Sequence, residues 1–263
     1  MNKFYETNKA TWNDKVETHK KSDFYRLEDF KNGWNSLKSI ELDALGDVSG
    51  KSLLHLQCHF GQDTLSWERL GATVTGVDFS SEAIKLAREL TDELDMNARF
   101  IEANVLELEE QLDEQFDVVF TSYGTICWLG DLEKWATLVN RFLKPGGTFL
   151  IADFHPIINM YDWNTAEIDF PYFYNAEPSS EYEEGTYTNP DAAIGGLEYF
   201  WFHPISKVTN LLLAQGLTLE LFQEFPYSPY NCFPNLDKIK EDYYVYNKTK
   251  FPLPHAFCLK FRK

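Results

Sequence analysis

Short apolar runs alternate with amphipathic stretches along residues 46–156, and this alternation marks the main part of the chain. Each run is bounded by glycine or polar residues and is rich in large aliphatic or aromatic side chains, as strands buried on both faces are. Five runs are predicted as strands: 52–58, 73–78, 99–102, 116–122 and 148–153. Strands that alternate with helices predict an α/β fold with a parallel sheet covered on both faces.

Helix boundaries between these strands follow from capping residues. Asp63–Leu70 is a predicted helix that ends at a glycine, and Ser80 is placed to cap the next helix, with Glu82 in its first turn. Leu132–Leu143 is a third helix, ended by the sequence LKPGG. Ser206 is predicted to cap the last helix, KVTNLLLAQ.

Two segments break this alternation. Residues 1–45 carry aromatic anchors at helical spacing and predict an N-terminal helical cap. Residues 157–204 are rich in aromatic side chains and are predicted as a substrate lid over the carboxyl edge of the sheet, where ligands bind in open α/β folds. Its aromatic residues include Tyr161, Trp163, Phe170, Tyr172, Phe173, Tyr174, Tyr182 and Tyr187. We expect a single domain, 1–263, with a core formed by 46–156 and 205–263 and closing strands at 218–227 and 255–263.

Composition narrows the functional classes. With 41 acidic and 24 basic residues the formal net charge is −17, so a polyanion such as DNA or RNA is not expected as a substrate. No apolar stretch is long enough to cross a bilayer or to act as a secretory signal, which predicts a cytoplasmic protein without membrane contact. The cysteines lie far apart and lack a CxxC pair, so free thiols are expected rather than disulfides or a metal site: Cys58, Cys127, Cys232 and Cys258.

A strand, a tight loop, a helix and a second strand that ends in an acid form the nucleotide-binding half of a doubly wound fold. Asp78 ends the second strand, 17 positions after Gly61, where a carboxylate can accept hydrogen bonds from both ribose hydroxyls. The ring of Phe79 is placed to lie against adenine. Asn104 ends the third strand, where its side-chain carbonyl can accept from the adenine amino group. This pattern alone fits either a dinucleotide or S-adenosylmethionine.

Two longer stretches resemble class I S-adenosylmethionine-dependent methyltransferases. HLQCHFGQDTLSWERLGATVTGVDFSSEAIKLARE resembles their motif I through the second helix, and FDVVFTSYGTICWLGDLEKWATLVNRFLKPGGTFLIADFHP resembles their fourth and fifth strands. The resemblance covers residues 50–156, and 211–226 more weakly. It implies a Rossmann-like doubly wound sheet, mostly parallel with an antiparallel last strand. It also implies in-line transfer of a methyl group from S-adenosylmethionine to a small-molecule acceptor.

The loop after the first strand departs from the family pattern. The family has an acid in this strand and three glycines in the loop, whereas this chain has His55, Gln57, His59 and, at the last position, Gly61. Non-glycine residues restrict φ and add bulk, so the loop is expected to hold the methionine end of the cofactor differently. Gln57 and His59 are candidates to contact it. The alternative is that cofactor binding is weakened or lost.

The resemblance gives the following cofactor-binding candidates: Gln57, Cys58, His59, Gly61, Asp78, Phe79, Asn104, Val105, Ser122 and Tyr123. His155 directly follows the fifth strand and is the first candidate for a general base, with His203 the second. The structural alternative for His155 is that His-Pro simply ends a strand. Trp128, Tyr161 and Trp201 are expected to border the methyl acceptor.

Two other functions stay open from the sequence. A non-catalytic S-adenosylmethionine-binding or regulatory protein could fill the space beside the methyl group with Tyr123, Trp128 and the insertion. A nicotinamide-dependent oxidoreductase would need a GxGxxG phosphate loop, and this chain has His59 and Phe60 where a pyrophosphate should approach.

Overall fold

The computed structural model describes residues 2–173 and 177–263, so Tyr174 of the predicted insertion lies outside the described residues. The strands are β1 (Ser52–Leu56), β2 (Thr73–Asp78), β3 (Ala98–Glu102), β4 (Phe116–Ser122), β5 (Leu143–Phe154), β6 (Ser179–Glu184), β7 (Gly195–Phe200), β8 (Thr218–Phe225), β9 (Leu236–Lys240), β10 (Tyr243–Tyr246) and β11 (Ala256–Arg262). The α-helices are α1 (Lys3–Lys21), α2 (Leu27–Lys31), α3 (Ser39–Leu45), α4 (Gln62–Arg69), α5 (Ser81–Glu93), α6 (Leu132–Phe142) and α7 (Ile205–Ala214).

Seven strands form one sheet in the order β3–β2–β1–β4–β5–β11–β8. Strands β1 to β5 are parallel to their neighbours among themselves, whereas β11 is antiparallel to both β5 and β8. The predicted fold, a mostly parallel doubly wound sheet with an antiparallel last strand, is confirmed. The strand order reverses between β1 and β4, and the crevice at the carboxyl ends of those strands is where ligands bind in such sheets.

Several predicted boundaries match the structure. The predicted ranges Thr73–Asp78 and Phe116–Ser122 are the bounds of β2 and β4. Ser80 caps α5, as predicted, because its hydroxyl accepts a hydrogen bond of 3.1 Å from the amide of Ala83. These elements combine a clear run of β-branched or aromatic residues with a flanking polar residue, so local sequence specifies them well.

Other predicted boundaries are wrong, including the starts of β5 and α7. Strand β5 begins at Leu143 rather than Thr148, because Leu143 already pairs with Phe116 before an irregularity in the ladder. Helix α7 is capped by Pro204 rather than Ser206, because the buried Ile205 already belongs to its first turn.

Helices cover both faces of the sheet. On one face, α6 packs on β4 and β5, and the fully buried side chains there include Trp135 of α6 and Phe149 of β5. On the other face, α4 contributes Trp67, which packs against Phe120 of β4 with ring centroids 5.6 Å apart. Burial of these apolar faces is the main favourable contribution to folding, and dense packing makes the carboxyl edge of the sheet a rigid platform.

Two hairpins and α1 lie over the carboxyl edge of the sheet. Strands β6 and β7 pair within the predicted insertion, and β9 and β10 form a second hairpin that was not predicted. The side-chain amide of Asn8 on α1 bonds the backbone of Tyr199 from both of its atoms, at 2.7 and 2.8 Å. Thr11 Oγ1 also donates to the carbonyl of Leu197 at 3.2 Å. A polar face of α1 therefore joins the N-terminal segment and the insertion into one roof.

Candidate functional site

A cavity of about 740 Å³ lies at the carboxyl edge of the sheet, beneath this roof. Its size is that of a small-molecule site. The ends of β1, β4 and β5 contribute to its floor, and α1, the insertion and the segment before β9 contribute to its walls. Lining residues from these parts include Gln57, Ser122, Asp153, Trp12, Thr186 and Phe233.

The loop after β1 adopts a backbone conformation that usually favours glycine. Gln57 and His59 have positive φ angles of 57° and 50°, and Gly61 has a φ of 81° at the N-cap of α4. Side-chain-bearing residues enter this left-handed region at an energetic penalty. Gly61 has a second constraint, because a Cβ atom there would lie 2.5 Å from the ring of Phe100. The loop thus keeps left-handed backbone at three positions while adding two polar side chains to the cavity wall.

Asp78, at the end of β2, is joined to this loop. Its carboxylate accepts hydrogen bonds from the amides of His59 at 2.9 Å and Ser80 at 2.8 Å. Burial raises the pKa of Asp78 to about 6, although the hydrogen bonds from the backbone oppose the shift. An ionised carboxylate has about four lone-pair sites, so it can still accept from hydroxyl groups of a ligand.

Two buried side-chain amides each have one atom without a hydrogen-bond partner among the described residues. Gln57 Nε2 donates to the carbonyl of Thr125 at 2.9 Å, whereas its Oε1 has no partner within that part of the chain. Asn104 Oδ1 accepts from the amide of Leu106 at 3.0 Å, and its Nδ2 is the atom left over. The atom of Asn104 that remains for a ligand is therefore a donor, the reverse of the role expected from its position. Buried polar atoms are normally paired, so both atoms are available to a ligand.

The cofactor-binding candidates fall into two groups. Those that line the cavity are Gln57, Cys58, His59, Gly61, Ser122 and Tyr123. Those that do not line it are Asp78, Phe79, Asn104 and Val105. Helix α1 lies across the second group, because Asn13 Oδ1 accepts from the hydroxyl of Ser80 at 2.7 Å and Lys9 pairs with Glu102 at 2.6 Å. The three acceptor-site candidates all line the cavity: Trp128, Tyr161 and Trp201.

The two candidate bases occupy different environments. His155 is not a lining residue: its Nε2 lies 2.8 Å from Oε1 of Glu224, and its Nδ1 accepts from the amide of Ile157 at 3.2 Å. This placement argues against the role that its position after β5 suggested. His203 lines the cavity, and its Nε2 donates to the carbonyl of Leu129 at 2.7 Å, which makes Nδ1 the acceptor nitrogen of the neutral ring. Burial lowers the pKa of His203 to about 4.

A pair of histidines connects the loop to the roof. His19 Nδ1 lies 2.9 Å from His59 Nε2, and His19 Nε2 lies 2.7 Å from the hydroxyl of Thr186. Burial lowers the pKa of His19 to about 2 and that of His59 to about 3, so both rings are neutral near pH 7. The indole of Trp12 contacts the His59 ring edge-on, with centroids 5.6 Å apart. These contacts link the cofactor loop, α1 and the insertion.

An ion pair also joins α1 to the β6–β7 hairpin. Lys15 is only 3% exposed, and its Nζ lies 2.7 Å from Oε1 of Glu198 and also contacts Glu183. Burial raises the pKa of Glu198 to about 7, although the charge of Lys15 opposes this shift. All three side chains line the cavity.

Asp153 holds the turn after β4 in place. Its carboxylate accepts hydrogen bonds from the amides of Gly124, Thr125 and Ile126. The indole Nε1 of Trp128 donates to the carbonyl of Gly124 at 2.6 Å. The turn is therefore fixed by an internal network, and the Trp128 ring forms a defined part of the cavity wall.

Several lining residues were not predicted from the sequence: Lys15, Asp63, Asp153, Glu198, Tyr230 and Phe233. The last two belong to residues 227–234, a segment as rich in aromatic residues and proline as the insertion, and that composition was the available signal. Lys15 and Glu198 are 183 positions apart, so no local pattern relates them.

The doubly wound sheet, the acid at the end of β2 and the cavity beside β1 and β4 define a nucleotide-binding α/β protein. Residues 54–151 match the family model described as methyltransferase domain. This match identifies residues 54–151 as a methyltransferase domain, and the predicted resemblance to the class I S-adenosylmethionine-dependent methyltransferase family is confirmed. S-adenosylmethionine is the cofactor of that family.

Similar curated proteins share the central part of the chain. The methyltransferase phqN of Penicillium fellutanum is 33% identical over 103 residues, which is 38% of this chain and 31% of that protein. The ubiquinone biosynthesis O-methyltransferase of Klebsiella pneumoniae is 26% identical over 153 residues, which is 58% of this chain and 62% of that protein. The chain thus spans less than two thirds of the length of these relatives.

Solved structures resemble the chain over most of its length. An S-adenosylmethionine-dependent methyltransferase from Clostridium acetobutylicum has a TM-score of 0.58 at 13% identity, covering 94% of this chain and 95% of that one. The glycopeptide N-methyltransferase MtfA in complex with S-adenosylmethionine has a TM-score of 0.53 at 16% identity, covering 84% of this chain and 90% of that one. At these identities the likeness shows the fold alone.

Residues 2–173 and 177–263 contain neither a membrane-spanning helix nor a metal-binding cluster. No helix in this part of the chain is long and apolar enough to cross a membrane. The same residues contain no group of three or more His, Cys, Asp or Glu side chains arranged to hold a metal ion. All four cysteines are free thiols, as predicted.

Proposed function

We propose that this chain transfers the sulfonium methyl group of S-adenosylmethionine to a small-molecule acceptor held in the cavity. The observation that carries the proposal is the cavity itself, which runs from the loop after β1 and the end of β4 to the aromatic insertion. A methyl acceptor requires space beside the cofactor, and the match of residues 54–151 to a methyltransferase domain supports this use of that space.

The residues at the sheet edge fit the parts of the cofactor. Gln57 Oε1 is a buried acceptor without a described partner and suits an ammonium group. Asp78 suits the ribose hydroxyls, and Asn104 Nδ2 is a donor that suits a ring nitrogen of adenine. Phe79 follows Asp78 and is the proposed ring contact. The remaining proposed contacts are Cys58, His59, Gly61, Val105, Ser122 and Tyr123.

Bound S-adenosylmethionine supplies a methyl group that is already activated, so the chain contributes alignment and exclusion of water. Trp128, Tyr161 and Trp201 wall the acceptor side of the cavity. Trp12 of α1 contacts Trp128 edge-on, with centroids 5.4 Å apart, and so connects the roof to this wall.

His203 is the proposed proton acceptor for substrates that lose a proton during transfer. Its low pKa keeps the ring neutral near pH 7, and its hydrogen bond to Leu129 fixes the tautomer in which Nδ1 accepts. A low pKa also makes it a weak base, so proton transfer is expected to contribute less than alignment. His155 would have to leave Glu224 to take this role.

The loop disfavours a dinucleotide cofactor. A pyrophosphate would bind at the amino end of α4. There the ring of Phe60 packs against Tyr25 with centroids 4.6 Å apart, and Asp63 places a carboxylate in the first turn. The nicotinamide-dependent alternative therefore has no supporting observation. A non-catalytic binding protein is also disfavoured, because about 740 Å³ stays open with the side chains of Tyr123 and Trp128 in place.

A product assay tests the proposal. The full chain is incubated with S-adenosylmethionine and a panel of small amines, phenols and carboxylates, and S-adenosylhomocysteine is measured by mass spectrometry against a sample without acceptor. We expect time-dependent S-adenosylhomocysteine that requires an acceptor. A chain that binds S-adenosylmethionine but forms no product with any acceptor would support the non-catalytic alternative instead.

A further inference from the structure

We infer that the methyl acceptor is a cation, an amine or ammonium compound with an apolar body. The inference rests on the proposed function, because it concerns the acceptor half of the same cavity. Two independent features carry it, the charge of the cavity and the aromatic character of its walls.

The cavity is strongly acidic. Its described lining includes eight carboxylates: Asp63, Asp153, Asp162, Asp169, Glu181, Glu183, Glu184 and Glu198. Lys15 is the only lysine or arginine among the described lining residues, and it is already paired with Glu183 and Glu198. Burial lowers the pKa of the lining histidines, so they add no positive charge near pH 7: His55, His59 and His203.

Five of the eight carboxylates have structural partners, and one of these is Asp162, which accepts from the amides of Asn164 and Thr165 at 2.7 and 3.0 Å. Besides the two paired with Lys15, Asp153 accepts from the backbone of the turn after β4, and Asp63 accepts from the hydroxyl of Ser36 at 2.5 Å. Four carboxylates of the insertion form no ion pair among the residues that the structure describes: Asp162, Asp169, Glu181 and Glu184. Negative potential on the acceptor side is therefore left without an internal counter-charge, which favours a cationic ligand.

Aromatic rings form two clusters in the cavity wall. Phe202 packs against Phe170 and Phe200, each with ring centroids 5.6 Å away. Trp163 stacks on Phe233 with centroids 4.4 Å apart. Aromatic faces attract cations through their quadrupole and bury apolar groups at the same time. A wall of this kind next to carboxylates suits a charged amine with an apolar body and repels a carboxylate.

The charge of the cofactor does not account for these acids. S-adenosylmethionine is itself cationic, but its proposed polar contacts are Gln57, Asp78 and Asn104. None of the four insertion carboxylates is among them. They belong to the segment that walls the acceptor, so the cation they favour is the acceptor.

Calorimetry with three probes of similar size tests the inference. The full chain is saturated with S-adenosylhomocysteine and titrated with phenethylamine, phenethyl alcohol or hydrocinnamate at about 0.15 M ionic strength. We expect the amine to bind about tenfold more tightly than the alcohol, and the carboxylate to bind most weakly. An alcohol or carboxylate that binds as tightly as the amine, or an amine that does not bind at millimolar concentration, would overturn the inference. Absence of S-adenosylhomocysteine binding in the first step would instead overturn the proposed function.

Two variants with the same net charge separate the effect of the cavity acids from the effect of the overall charge of the protein. The test variant neutralises the insertion acids: Asp162→Asn, Asp169→Asn, Glu181→Gln and Glu184→Gln. The control neutralises four exposed acids outside the cavity: Asp43→Asn, Asp92→Asn, Glu89→Gln and Glu110→Gln. We expect the test variant to lose about tenfold in affinity for the amine while the control keeps it. Equal affinities in both variants would overturn the inference, and if the test variant does not fold, the ranking of the three probes decides.

Discussion

The backbone amide of His59 donates a hydrogen bond of 2.9 Å to the carboxylate of Asp78, which ties the loop after β1 to the end of β2. His59 adopts a left-handed φ of 50°, a conformation that glycine adopts more readily. The contact orders the loop and the carboxylate before any ligand binds. Such preorganisation reduces the entropy lost on binding, so this glycine-poor loop is compatible with a functional cofactor site.

Variants of Gln57 separate its role in binding S-adenosylmethionine from the backbone strain at this position. Gln57→Gly removes the side chain that we place at the ammonium group, but glycine accepts the φ of 57° without strain. We expect the affinity for S-adenosylmethionine to fall about tenfold, as for the loss of a hydrogen bond to a charged group. The free energy of unfolding should fall by about 1 kcal/mol, because relief of strain offsets only part of the loss of the hydrogen bond to Thr125 and of the added flexibility of the unfolded chain.

Gln57→Ala is the matched control, because it loses the same amide but keeps a Cβ in the left-handed region. We expect it to bind as weakly as Gln57→Gly and to be about 1 kcal/mol less stable than that variant. Calorimetry and urea denaturation of both variants check these values. Wild-type affinity in either variant would remove Gln57 from the cofactor site.

The close approach of the Phe100 ring to β2 explains why position 76 is a glycine. A Cβ atom at Gly76 would lie 2.6 Å from the Phe100 ring and 2.9 Å from Sγ of Cys58. Gly76→Ala should lower the free energy of unfolding by about 1–3 kcal/mol through overpacking. Adding Phe100→Leu should recover part of that loss. Urea denaturation of the two single variants and the double variant measures the coupling, and strictly additive effects would contradict this account.

Lys15→Met should destabilise the fold in a pH-dependent manner. Removing the ammonium leaves Glu183 and Glu198 without their counter-charge, which is expected to lower the free energy of unfolding by about 3–5 kcal/mol at about pH 8. The pKa of Glu198 in the folded protein is raised to about 7, above its value in the unfolded chain. Proton binding by Glu198 therefore stabilises the fold fully below the unfolded pKa, and this stabilisation is lost as pH rises through 7. Without Lys15 this pKa rises further.

The deficit of Lys15→Met relative to wild type should therefore be small at about pH 5 and grow toward about pH 8. Urea denaturation across this range measures it. The double variant Lys15→Met with Glu198→Gln is the control, since it removes the titrating group and should lose most of the pH dependence. A deficit that is constant with pH in Lys15→Met would rule out Glu198 as its source.

The two candidate bases are distinguished by matched glutamine variants. His203→Gln keeps a donor for the carbonyl of Leu129 but removes the ring nitrogen that accepts a proton, and His155→Gln keeps a donor for Glu224. With an acceptor that loses a proton, we expect kcat to fall about 100-fold in His203→Gln and to change little in His155→Gln. Steady-state assays with S-adenosylmethionine at saturation measure kcat. A large fall in kcat in His155→Gln with little change in His203→Gln would identify His155 as the base instead.

Local sequence specified much of the fold. β2 and β4 match their predicted ranges because each is an apolar run closed by a polar residue, and Ser80 caps α5 because serine accepts from the amide three residues on. The hairpin β9–β10 was missed because its turn lacks an Asn-Gly or Asp-Gly pair, and Asp242 takes the left-handed φ of 55° instead.

The walls of the cavity could not be predicted from the sequence, because they depend on contacts between residues that are far apart along the chain. The cofactor candidates came from one continuous block, whereas the roof depends on pairs such as His19 with Thr186 and Lys15 with Glu198. His155 illustrates the same limit. Its position after β5 predicted that it lines the cavity, but its ring contacts Glu224 of the antiparallel strand β8 instead. Only the pairing of β11 with β8 and β5 brings that carboxylate close.

Calorimetric titration of wild type and Asp78→Asn with S-adenosylmethionine tests the central claim most directly. We expect wild type to bind and Asp78→Asn to bind about 10- to 100-fold more weakly, because the ribose hydroxyls lose a charged acceptor. Asp92→Asn, an exposed substitution on α5, is the control and should bind as wild type does. Absence of binding to wild type at millimolar S-adenosylmethionine, or equal affinity in wild type and Asp78→Asn, would contradict the account.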